Sequence, residues 1–423
     1  MTTPDVPRRD RRRALGALAF ALLPCALRAE PDEQALGRDA GYPVGDARDW
    51  YAERHRVGSW SAMDRVAGQP VRGVPTGGTP LALAAARGAP DIRYRFGGMT
   101  RSVDDYLDRQ RITGLLVLQG DRIVVERYRY GRTPDARFLS FSMAKSVVSL
   151  LAGIAQAKGT IRSFDDAAER YVPELAGSAY GSTALRHLLQ MGSGLAFSER
   201  YDGHDDIARL VRAFATGTPS VIDVLRSVQD RQAPAGTRFA YASAETAVLG
   251  RVVAGATGRH LSELTSQWLW QPLGAERDAF WLVGADGHEQ AFSGFNATLR
   301  DWARIGCLLA LDGAIDSRAI VPREYLLDAT DATRQPPGFR PREATPIYGY
   351  GRQFWIQPLR ERTFALFGVH GQATFVQPAS GVVMVQTAVY AAPAGTGDPA
   401  PVQERGAFWN GVLASLGGST TPL

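Results

Sequence analysis

The sequence predicts an α+β fold, a mostly antiparallel sheet flanked by helices with an all-helical inserted domain, and three observations carry that expectation. Two apolar strand patterns, 114–120 and 122–128, meet at Gly120-Asp121 and feed a helical pattern that begins near Ser142. Residues 181–290 are dominated by helical recurrence. Three consecutive strand patterns follow late in the chain, and a last helix closes it.

Taken in order, Arg8, Arg9, Arg11, Arg12 and Arg13 precede an apolar run from Ala14 to Leu23, a break at Pro24 and a small-residue exit at Ala29. This is the pattern of an export signal over 1–29, too short to span a bilayer, with cleavage near Ala29. Arg12-Arg13 leaves both the general secretory and the twin-arginine routes open. A periplasmic or secreted protein is therefore expected, with no stable membrane insertion once the signal is removed. Residues 30–90 are rich in Gly, Pro and Ala, with isolated aromatics at Trp50, Tyr51 and Trp60, and read as an extended N-terminal arm wrapping the body.

An α/β part spans 91–180, with Ser102 capping a helix through Arg111, then the strand pair, then the Ser142 helix, which Gly159 stops. The helical domain, 181–290, shows periodic stretches at 185–191, 206–214, 222–228, 244–255 and 261–270. The second α/β part, 291–423, holds a helix at 299–310, strands at 363–369, 373–377 and 381–390 with turns at Gly371 and Pro378–Gly381, and a helix at 403–416.

The net charge of +5 comes largely from the N-terminal arginines, and no basic stripe interleaved with aromatics occurs elsewhere, so nucleic-acid binding has no support. The six histidines show no metal-ligand spacing, and neither a metal nor a cofactor is expected. Cys25 lies inside the signal, leaving Cys307 alone in the mature chain. Its helical, apolar setting reads as a buried thiol, and an exported chain without a disulfide depends on packing for stability.

Ser142-Met143-Ala144-Lys145 is the most informative stretch. The chain has 48 Lys+Arg, yet Lys145 and Lys158 are its two lysines. Arginine stays protonated, whereas a buried lysine can give up its proton and serve as a base. At helical spacing Lys145 stands one turn beyond Ser142 on the same face, with the positive end of the helix dipole at the serine. The local pattern also fits a capping serine followed by a surface lysine.

Several separated motifs then fall into one order. Ser142–Lys145, Met191-Gly192-Ser193-Gly194-Leu195, Tyr241-Ala242-Ser243, the stretch from Asn296 to Gly306 and Gly368-Val369-His370-Gly371-Gln372 together resemble the serine β-lactamase and penicillin-binding-protein superfamily, class C branch, over about residues 95–420. Ser193–Tyr201 with Gly368–Gln372 is similar to the 6-aminohexanoate-dimer hydrolases and related carboxylesterases. The resemblance implies a serine hydrolase that cleaves an amide or ester of a small molecule through an acyl-enzyme. In it Ser142 is the nucleophile, Lys145 the amine that helps deprotonate it, and Tyr241 a second base and leaving-group acid. The N–H groups of Ser142 and Val369 would form the oxyanion hole, Tyr201 would hydrogen-bond the scissile amide nitrogen, and Asn296 would line the groove or cap the following helix. A tyrosine beside a lysine is expected to have its phenolate stabilised. Two departures stand out: Ser243 occupies a position where lactamases usually have asparagine, and Leu366-Phe367-Gly368 replaces the K-T-G motif that helps to hold a β-lactam carboxylate. This favours an amidase or esterase over a D-alanyl-D-alanine carboxypeptidase or lactamase. A non-catalytic binding module on the same scaffold would have no need of all three residues.

Overall fold

The computed structural model describes residues 30–88, 90–394 and 397–423, so the expected export signal lies outside the described residues. The main sheet runs, in spatial order, through Gly349–Tyr350, Trp355–Ile356, Phe364–Phe367, Ala373–Gln377, Val382–Ala388, Ile112–Gln119, Arg122–Tyr128 and Ala84–Ala85. Neighbours are antiparallel except the last pair. Val382–Ala388 is buried along its whole length and Ile112–Gln119 as far as Leu118, which explains why both read as continuous apolar runs. The expected strand pair turns at Gly120, whose φ is +62°.

One face of this sheet is covered by Leu299–Ala310, the other by Ala400–Ser415 and the Ser102-capped helix Val103–Arg109, where Ser102 and Asp105 form a reciprocal capping box. The helix Met143–Ala157 also meets this sheet, at the strand Phe364–Phe367, and is buried on all sides from Met143 to Ala155. A chain segment that is apolar all round is stable as a helix only in such a setting. It packs against Ser243–Thr257, so the helical layer rests directly on the Ser142 helix.

Two expectations need correction. The segment 181–290 is helical at Leu185–Leu189, Asp206–Thr216, Val221–Ser227, Ser243–Thr257 and Leu261–Leu273, where a π-helical turn spans Thr265–Trp270. From Ala279 to Leu282, however, it is a buried strand in a second antiparallel sheet, ordered Val71–Val74, Ala279–Leu282, Phe295–Thr298, Arg137–Leu139. Four consecutive apolar residues lack the alternation that marks a half-buried strand, which is why the pattern hid it. The 30–90 arm, in turn, is not merely extended. It contributes Val71–Val74 to that sheet and sinks Leu36, Val57, Trp60, Met63 and Val66 into the core. Cys307 is free and buried, its thiol pushed up to about 12 by burial.

Gly306 sits where the Leu299–Ala310 helix crosses the main sheet. Alanine ordinarily favours a helix interior by about 0.5–1 kcal/mol over glycine. A Cβ here would lie 2.3 Å from Cγ1 of Val383, itself fully buried on a central strand. Overpacking outweighs propensity, so Gly306→Ala is expected to lower unfolding free energy by about 1–2 kcal/mol in a urea titration. A stabilised variant would contradict this packing.

Candidate active site

The short strand Arg137–Leu139 delivers the chain to a tight turn at Phe141, whose φ of +46° is left-handed, and Ser142 follows immediately before the buried helix Met143–Ala157. A bulky residue in that region is strained and persists only when its surroundings hold it there. Ser142 occupies the capping position, yet its side chain makes no cap hydrogen bond. Its Oγ is left to accept a hydrogen bond from Nζ of Lys145 at 2.8 Å. The local alternative of a capping serine and a surface lysine is thereby excluded: Lys145 is 1% exposed.

The amine of Lys145 also donates to the carbonyl of Phe292 at 2.8 Å. Burial lowers its pKa to about 8, with the Glu199 carboxylate acting in the opposite sense. A substantial fraction is therefore neutral near physiological pH, as a base for Ser142 must be.

Tyr241 lies on the other side of the amine, its ring centroid 5.1 Å from Nζ, and stacks on Trp355. The Ser142 side chain lies close enough to its phenol oxygen to act on it in the pKa-lowering sense. The expected phenolate is not what the surroundings favour. Burial first, and the Glu199 carboxylate second, raise the Tyr241 pKa well above the ordinary range, against the smaller effect of Ser142. Tyr241 thus rests as a phenol, and Lys145 is the group placed to take the first proton.

Glu199 is the residue that sequence reasoning missed. One carboxylate oxygen accepts from the Tyr201 phenol at 2.6 Å and from the Ser243 hydroxyl at 2.8 Å, and the other accepts from the Ser243 N–H at 2.6 Å. It therefore caps the helix Ser243–Thr257, where negative charge is favoured. This gives a physical account of serine at position 243: it donates twice to the carboxylate. Ser193 plays a related part, donating its hydroxyl at 2.6 Å and its N–H at 3.2 Å to Glu245 of the same helix. Burial raises the Glu245 carboxyl to about 8.

A cleft of about 340 Å³ opens over Ser142. Leu139, Phe141, Ile207, Val211, Leu282 and Phe292 give it an apolar wall, while Glu199, Asp205, Ser243, Gln290 and Ser293 supply polar edges. Trp50 and Tyr51 of the N-terminal arm and Tyr201 and Val369 also line it. Among the described residues, neither the Ser142 nor the Val369 N–H finds a hydrogen-bond acceptor, so both can serve a developing oxyanion. Asn296 is not part of this surface. It is fully buried within the second sheet, its side chain donates to Gly294 O at 2.9 Å, and the following helix is capped by Thr298 instead. Among the described residues no group of His, Cys, Asp and Glu converges on a metal position, and no helix is long and apolar enough to cross a membrane.

The chain matches the family model described as Beta-lactamase over residues 99–401. It is 28% identical over 363 residues to the 6-aminohexanoate-dimer hydrolase of Paenarthrobacter ureafaciens, an alignment covering 83% of this chain and 89% of that one. Among solved structures, a Bacillus anthracis protein provisionally described as a 6-aminohexanoate-dimer hydrolase superposes with a TM-score of 0.74 at 21% identity, covering 87% of this chain and 95% of the other. A family VIII carboxylesterase superposes with a TM-score of 0.53 at 16% identity, covering 72% and 93%.

Because the neutral amine is the active form, kcat/KM is expected to rise with pH through about 8. Glu199 raises the Lys145 pKa, so Glu199→Gln should move this acidic limb to lower pH. An unmoved or alkaline-shifted limb in the pH profile would contradict the electrostatic account. Lys145→Arg and Lys145→Ala should each lose at least about a thousandfold in kcat, because guanidinium cannot take the proton and alanine has no base.

Proposed function

Because this chain belongs to the beta-lactamase family and is a serine hydrolase of amide or ester bonds, we propose that its substrates are small linear amides, 6-aminohexanoate oligomers among them. Neutral Lys145 takes the Ser142 proton as Oγ attacks the carbonyl carbon, and the oxyanion is received by the N–H groups of Ser142 and Val369. Tyr241 then protonates the leaving nitrogen and is refilled from the Lys145 ammonium, leaving an acyl-enzyme. Water then attacks the acyl carbonyl and gives a proton to Lys145, which returns it to Ser142 Oγ as the acyl–Oγ bond breaks and the acid leaves.

The observation that carries the amide reading is the state of Tyr201. Its O–H is committed to Glu199, so its oxygen faces the cleft as an acceptor. A scissile amide has an N–H to offer and an ester has none. Holding that N–H aims the nitrogen lone pair away from Tyr201, towards the proton donor, as conjugation is lost. A carboxylesterase is the second reading, supported by the apolar wall of the cleft. Lactamase or D-alanyl-D-alanine carboxypeptidase activity has less support. Among the described residues, the charged ones lining the cleft surface are Glu199 and Asp205, and no arginine lines it to hold a substrate carboxylate. We also place the enzyme in the periplasm or outside the cell, on the strength of the basic and apolar pattern of its first 29 residues.

Hydrolysis of the linear 6-aminohexanoate dimer, p-nitrophenyl esters and nitrocefin should rank in that order of departure from the uncatalysed rates. Tyr201→Phe should lower kcat/KM for the linear amide by at least about tenfold, roughly 1.4 kcal/mol, while a short p-nitrophenyl ester stays within about threefold. Equal losses on both would make Tyr201 a packing residue and favour the esterase.

A further inference from the structure

The segment Tyr51–Trp60 is far from Ser142 in sequence but is packed against both backbone turns that carry the oxyanion donors. Phe141, with φ +46°, immediately precedes Ser142, and His370, with φ +58°, immediately follows Val369. Both are left-handed non-glycine residues, a conformation that needs external support. The same arm residue supports both. The Trp60 ring lies 4.9 Å from Phe141, edge to face, and 4.8 Å from His370. Tyr51 adds contacts at 6.3 Å and 5.3 Å to the same two rings.

The polar contacts are equally directed. Nδ1 of His370 lies 2.7 Å from the carbonyl oxygen of Tyr390, which can only accept, so Nδ1 carries the proton. Nε2 is then an acceptor, and it takes the hydrogen bond of the Tyr51 phenol. Arg56 fastens the segment from the other end, donating at 3.0 Å to the carbonyls of both Tyr390 and Ala391, with its guanidinium 5.5 Å and 5.4 Å from the ring centroids of Tyr51 and Trp60. The Trp60 carbonyl accepts from the N–H of Leu139, three residues before Ser142.

We propose that Tyr51–Trp60 is a strap that positions the oxyanion hole, the Tyr51–His370 hydrogen bond and the Trp60 ring together holding the Ser142 and Val369 N–H groups towards one point in the cleft. The inference rests on the acyl-enzyme reading above. Tyr51 and His370 are positioning residues, acting through the backbone turns they brace. An arm that packs only for stability has no need to meet both turns at once.

Tyr51→Phe keeps the ring and removes the hydrogen bond. For a p-nitrophenyl ester, kcat should fall about tenfold with KM within about twofold, since the oxyanion exists in the transition state and not in the bound ester. The inhibition constant of phenylboronic acid, which forms a tetrahedral serine adduct, should rise by the same factor. His370→Asn retains a residue tolerant of left-handed backbone and should give a similar loss. The double variant should be little worse than either single one, because both remove one interaction. Unchanged boronate inhibition, or losses that multiply in the double variant, would overturn the proposal even if the melting temperature fell. Ser142→Ala in the otherwise intact chain tests the acyl-enzyme reading separately: if it retains turnover, that reading fails, whatever Tyr51 does.

Discussion

An amine that is 1% exposed and held 2.8 Å from both the Ser142 hydroxyl and the Phe292 carbonyl is the constraint on which the site depends. A buried ammonium is costly unless it is hydrogen-bonded and has an opposite charge near it, and one way to relieve the cost is to release the proton. The fold does both in part. It gives Lys145 two acceptors and the field of Glu199, yet leaves its pKa near 8. The proton is therefore loosely held where the serine needs a base. The apolar Met143–Ala157 helix supplies this burial, and the helices resting on it keep water away.

Glu199 ties the remaining parts to that centre. It caps the Ser243 helix, engages the Tyr201 phenol and adds its field to the burial that keeps Tyr241 protonated. One carboxylate thus orients the leaving-group side of the cleft and divides the labour between lysine as base and tyrosine as acid. Phe292, whose carbonyl anchors Lys145, and Val369, which lines the cleft together with Ser142, come from the second α/β part. The site exists only when both parts of the chain are folded together.

What could be read in advance follows from the range of each interaction. The strand pair Ile112–Tyr128 and the Ser142 helix are set by local periodicity and by the turn at Gly120, so they were legible to within a residue or two. Lys145 stood out because helical spacing places it beside Ser142. Glu199 was not legible, since its partners Ser243 and Lys145 are fixed by folding and no spacing joins them. Tyr51 and Trp60 looked like isolated aromatics for the same reason. Asn296 misled because its family position was informative while its burial was not: its side-chain N–H donates to the neighbouring Gly294 carbonyl within the second sheet, and its Oδ1 is buried without a partner among the described residues. The strand Ala279–Leu282 was hidden by being apolar throughout.

The most direct measurement of the central claim is peptide mapping of the protein after exposure to a fluorophosphonate, followed as a function of pH. One adduct per chain is expected, on Ser142, formed at a rate that climbs through pH about 8 as Lys145 loses its proton. An adduct on another residue, no adduct at all, or a rate indifferent to pH across that range would contradict that claim.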